Sequence, residues 1–97
     1  MRPVKRVEII INRPELDNVM DAIEQAKIMG YTIIHDVIGR GDHGMQMGDG
    51  LSGEFSNSYI LIACEPDVAE ILVELVRPIL KRRGGVCLVS DAAWVKH

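Results

Sequence analysis

No run of apolar residues in the chain approaches the roughly 20 needed to cross a bilayer, so direct membrane insertion is not expected. Cysteine is nearly absent. The two present, Cys64 and Cys87, fit no metal-ligand spacing and read as reduced, buried, small hydrophobes. There is no Walker A loop, which removes the P-loop NTPases. Positive charge is not in excess either. The net charge is -3, so broad nucleic-acid binding is not expected. Aromatic residues are one Trp, one Phe and two Tyr, few enough that their positions decide whether a stacking surface can exist. The opening Met1-Arg2-Pro3-Val4-Lys5-Arg6 carries no cleavage-site pattern, so a cytoplasmic protein without a signal peptide is the expectation.

What is present is a soluble, globular composition, 47% hydrophobic and 26% charged. At 97 residues the chain is one domain, small enough to be marginal as a monomer. Arg6 to Asn12 is a short β-branched run and reads as a first strand. Pro14 suits the opening of a helix, and Leu16, Val19, Met20, Ile23 and Ala26 follow at helical spacing. Gly30 stands where that helix would end. Tyr31 to Ile38 reads as a second strand and Ser58 to Cys64 as a third. Pro66 opens a second helix with Val68, Ile71, Leu72, Leu75, Val76 and Ile79 as its apolar set, and Pro78 should loosen its last turn. Gly84 and Gly85 make a turn into a fourth strand, Val86 to Ser90.

The order βαββαβ predicts an α+β, ferredoxin-like fold: a four-stranded antiparallel sheet with two helices on one face. In the first strand Val7, Ile9 and Ile11 oppose Glu8, Ile10 and Asn12; in the third, Ile60, Ile62 and Cys64 oppose Tyr59, Leu61 and Ala63. Both faces are substantially apolar, yet two helices cover only one. The simplest cover for the other is a further copy of the chain. The seven residues after Ser90, folding back over the sheet, are the alternative.

Between the second and third strands, from Gly39 to Asn57, periodicity vanishes, and six of the nine glycines lie between Gly39 and Gly53. A loop of about twenty residues in so small a domain is usually functional or disordered. At its base, Gly39-Arg40-Gly41 could present backbone N–H groups and a guanidinium to an anion, or could be a solvated turn. Lys81-Arg82-Arg83-Gly84-Gly85 is open to two readings of the same kind. Cations at a helix C-terminus favour its dipole, and glycine amides beside arginines also suit phosphate.

Other chemistries find less support. His43, Met45 and Met47 alternate in the loop and would suit Cu(I), although methionines there also suit a partner-binding surface. His35 fits a packed or hydrogen-bonded strand residue better than a ligand. No nucleophile with its base and no carboxylate pair can be assembled, so an enzyme is not expected. Asn12-Arg13-Pro14 is a poor match to an acylphosphatase-type phosphate loop. RNA binding on this topology needs aromatics on the first and third strands, where only Tyr59 stands.

Lys5-Arg-Val-Glu-Ile-Ile-Ile11, Pro14-Glu-Leu-Asp17, Gly30-Tyr-Thr32, Gly39-Arg-Gly41 and Gly85-Val-Cys-Leu-Val-Ser90 occur in an order and spacing that resembles the PII signal-transduction family along most of the chain. The resemblance implies a homotrimer with an adenine nucleotide (ADP, AMP or ATP) in each cleft between subunits, and a loop, the T-loop, at about 39–57 that reaches a target protein. It implies nucleotide contacts from Thr32, from Gly39, Arg40 and Gly41, and from Arg82, Arg83, Gly84, Gly85 and Val86. It implies no cofactor, no metal and no catalytic residue. Asp42 and His43 follow Gly41 where the family has Gln, so 2-oxoglutarate sensing does not carry over. The loop has no Tyr to modify, Val86 stands where the longer family turn ends in Lys, and Lys96 and His97 stand in place of an arginine pair. In these departures the chain is similar to the PII-like branches linked to carboxysomes and inorganic-carbon transport, some of which respond to bicarbonate. On that reading the target is a membrane transporter or a carboxysome-associated protein. CutA-like metal-responsive trimers and ACT-type small-molecule modules share the fold and stand as alternatives.

Overall fold

Alternating β-branched residues make β1 (Arg2–Asn12) the spine of the sheet. The computed structural model describes residues 1–41, 44–45 and 56–97, and of residues 40, 41, 44 and 45 the backbone alone. A single turn of 3-10 helix (Arg13–Glu15) leads into α1 (Leu16–Gln25). Then come β2 (Thr32–Val37), a small ribbon of β3 (Arg40–Gly41) and β4 (Gly44–Met45), β5 (Asn57–Cys64), α2 (Pro66–Arg83) and β6 (Val86–Trp94). The four long strands form one antiparallel sheet in the order β2-β5-β1-β6.

Register fixes the faces. Ile9 lies opposite Ile60 on one side and Cys87 on the other, so these three share a face with Val7, Ile11 and Ile62. That face is buried against Val19, Ala22, Ile23 and Ala26 after and along α1, and Ala69, Leu72, Val76 and Ile79 of α2. The opposite face carries Ile10, Tyr59 and Leu61, half-buried, beside Ile34 and Leu88, both more than half exposed. Its polar members are organised. The Tyr59 hydroxyl donates to Glu8 at 2.7 Å, Arg6 lies 3.5 Å from Glu8, and Arg6 Nε donates to Ser90 Oγ at 3.1 Å.

Several elements differ from the sequence expectation. β1 begins at Arg2, not Arg6, because its first residues pair with a β6 that runs on to Trp94: Arg2 faces Trp94 and Val4 faces Ala92. Residues 91–94 therefore lengthen an edge strand instead of folding over the open face. Gly30 does not end the first helix. Lys27, at φ 60°, does, in a Schellman motif: the Lys27 N–H donates to the Glu24 carbonyl and the Ile28 N–H to the Ile23 carbonyl. Ile71 is exposed, and Ala69 takes the buried place in its stead. α2 continues through Pro78 to Arg83.

Candidate functional site

The two helices pack side by side and run in opposite directions. The start of α1 and the finish of α2 lie together, so the positive pole of one dipole faces the negative pole of the other. Each pole carries a side chain of complementary sign. Glu15, the residue before α1, caps no backbone group; its carboxylate turns to α2. Oε1 lies 3.5 Å from Nη2 of Arg82, Oε2 lies 3.4 Å from Nε of Arg83, and Asn18 Nδ2 donates to Oε1 at 3.1 Å. The Glu15 side chain is 10% exposed, whereas those of Arg82 and Arg83 are 53% and 58% exposed. The guanidinium forks thus emerge from a buried anchor with N–H groups turned to the surface.

Gly84 and Gly85 follow at φ 78° and 112°, a backbone region that favours glycine. The Gly84 N–H donates to the Leu80 carbonyl at 2.7 Å and closes the helix. Gly85 packs directly on β1: a Cβ there would lie 2.7 Å from the Ile10 carbonyl oxygen and 2.9 Å from Ile11 Cδ1. Val86 then opens β6 opposite Ile10.

The other predicted residues lie on and just beyond β2, the edge strand opposite β6. Thr32, exposed, opens β2 opposite Leu61. Gly39 is exposed with open space around it, and the positive φ near the loop base is at Asp36, φ 60°, where the β2–β5 register shifts between Ile34 and Val37. Arg40 and Gly41 pair with Met45 and Gly44. The rest of the loop, with Asp42, His43 and Met47, lies outside the described residues. His35 Nδ1 is within 3.3 Å of Ser58 Oγ, a hydrogen-bonded strand residue. Among the described residues no group of three or more His, Cys, Asp or Glu could hold a metal.

One element spans the gap between the end of β2 and the end of α2. Arg13 lies 3.8 Å from Asp36 and its N–H donates to the Ser56 carbonyl at 2.8 Å, while Glu15, two residues on, holds Arg82 and Arg83. The 3-10 turn therefore touches the loop base with one end and the basic turn with the other. Sequence reading noticed Pro14-Glu15 only as part of a helix start. An acid in a first helical turn was the one local signal available for Glu15. Both cysteines are free and half-buried, and burial pushes both thiols above their ordinary range. A separate groove of about 540 Å³ between α2 and β6, lined in part by Lys5, Val73, Arg77 and Val89, shares none of the predicted site residues.

Residues 4–97 match the model of the family described as nitrogen regulatory protein P-II. The chain belongs to this family. Among solved structures it is similar to CPII, a nitrogen regulatory PII-like protein from Thiomonas intermedia K12. With CPII bound to ADP, AMP and bicarbonate it shares 30% identity at a TM-score of 0.84, covering 93% of this chain and 86% of that one. With CPII bound to ADP and bicarbonate the values are 29% and 0.81 over the same shares. A further CPII structure with ADP, AMP and bicarbonate shares 27% identity at 0.81, covering 96% of each chain. Comparison with the curated proteins gave no match. The four-stranded antiparallel sheet with two helices on one face, shared with CPII, bears out the ferredoxin-like architecture read from the order of elements.

Proposed function

We propose that the chain is a regulatory sensor, not an enzyme, that binds an adenine nucleotide (ADP, AMP or ATP), with bicarbonate as a second ligand. The observation that carries this reading is the pair of half-exposed arginines held by Glu15 beside Gly84 and Gly85, in a chain similar to a protein solved with ADP, AMP and bicarbonate. Arg82, Arg83, Gly84, Gly85 and Val86 take one part of the ligand, and Thr32, Gly39, Arg40 and Gly41 the other. Thr32 on β2 and Val86 on β6 stand on opposite edge strands, so a ligand that touches both lies in a cleft between copies. A homotrimer supplies such clefts, and its packing covers the apolar face that carries Ile34, Leu61 and Leu88.

In this reading the segment at 39–57 is the T-loop. It carries the state of the site to a target protein in inorganic-carbon transport or carboxysome function, and the whole works in the cytoplasm. No helix among the described residues is long and apolar enough to cross a membrane, so such a sensor meets a membrane transporter from outside the bilayer.

Calorimetry with AMP, ADP, ATP and cyclic AMP, each with and without bicarbonate, tests the ligand, and light scattering tests the trimer. Saturable binding of at least one nucleotide is expected, tightened or weakened by bicarbonate. Absence of binding by all four, or a stable monomer at micromolar concentration, overturns the reading.

A further inference from the structure

Glu15 is an anion placed where an anionic ligand is to bind. A site evolved only for maximal phosphate affinity would not keep a carboxylate in contact with two of its three cations. Here the carboxylate is 10% exposed, accepts from Asn18, and touches both Arg82 and Arg83. It does two things at once. It fixes two long side chains that would otherwise lose rotamer freedom on binding. It also cancels one of the three positive charges of Lys81, Arg82 and Arg83, as seen by a ligand at the surface.

The fixed geometry leaves usable donors. Arg83 spends Nε on Glu15, so its two Nη groups remain to face outward; Arg82 spends Nη2 and keeps Nη1 and Nε. A terminal phosphate can therefore bind without displacing the carboxylate. Each further phosphate in a chain adds about one negative charge near Glu15, and the penalty grows with that charge.

We infer that Glu15 is a positioning and specificity residue of the phosphate site, holding Arg82 and Arg83 outward while biasing the site toward nucleoside mono- and diphosphates and against triphosphates. This rests on the nucleotide-binding reading above and deepens it. The bias is electrostatic, so it weakens as salt is added.

The test is calorimetry of wild type and Glu15→Gln with AMP, ADP and ATP at low and high salt, with thermal melts alongside. Gln keeps the shape and one acceptor but loses the charge. The expected result is a rise of roughly tenfold or more in the ATP-to-AMP affinity ratio in Glu15→Gln at low salt, shrinking at high salt. A role confined to holding the fold would lower the melting temperature and weaken all three ligands in proportion; that outcome, or an unchanged ratio, overturns the inference. Should Glu15→Gln not fold, Glu15→Ala decides it by the same ratio: an ATP-to-AMP affinity ratio no higher than that of wild type at low salt would overturn the inference. Failure of wild type to bind any adenine nucleotide would overturn this inference together with the nucleotide reading, whereas normal binding with an unmoved ratio would overturn this inference alone.

Discussion

Gly85 lies so close to Ile10 that a single added methyl would stand 2.7 Å from its carbonyl oxygen. The contact is backbone on one side, so nothing flexible can give way. Gly85 also sits at φ 112°. Overpacking and an unfavourable backbone each cost roughly 1–3 kcal/mol, so Gly85→Ala is expected to lose about 2–5 kcal/mol in urea unfolding. Gly30 is the matched control. It has open space and no positive φ, so Gly30→Ala should be neutral or stabilise by up to about 1 kcal/mol.

Arg83→Ala and Arg40→Ala should each weaken adenine-nucleotide binding about tenfold or more, the usual worth of a charge-assisted phosphate contact. Arg83→Ala leaves Glu15 its contacts with Arg82 and Asn18, so its melting temperature should stay near wild type. Full affinity retained in both variants would show that the basic residues serve only the helix end.

Lys27 holds a left-handed conformation at φ 60° with no glycine to ease it. An L-residue there costs roughly 1–2 kcal/mol, partly offset by the greater chain entropy of glycine when unfolded. Lys27→Gly should therefore stabilise the chain by up to about 1 kcal/mol, read as a higher urea midpoint at unchanged slope.

The hydrogen bond to Glu8 is the main cause that holds the Tyr59 phenol above its ordinary value of 10.0. The folded state thus keeps its proton longer than the unfolded chain does. The stabilising contribution is complete below pH 10 and is lost as pH rises through the folded value. Absorbance titration should show Tyr59 ionising later than an ordinary tyrosine, and Glu8→Ala should abolish the delay. An unchanged titration in that variant would mean that Glu8 is not the cause.

The strand faces were legible because Val7, Ile9 and Ile11 alternate with Glu8 and Ile10 within a few residues. The first four residues of β1 were not. Pro3 among basic residues breaks the β-branched pattern, and only pairing with Ala93 makes it strand. β5 reaches no further than Lys5, so on that side Pro3 has no ladder to break. The site divided in the same way. Arg82 and Arg83 announce themselves as a cationic turn, whereas Glu15 acquires meaning only when packing brings it across 67 residues of chain. Gly85 was read as an approach for phosphate, yet β1 alone is reason enough for glycine there.

β1 sits between β5 and β6 and is bonded along both sides, although it is made first and its partners last. Both ladders that hold it join residues at least 45 positions apart. Such topology slows folding, because distant closures are costly before any contact rewards them. During synthesis β1 can pair with β5 first, but its other side stays unpaired until β6 has been made. Removal of β6 should leave β1 an unprotected edge, prone to pair with other nascent chains.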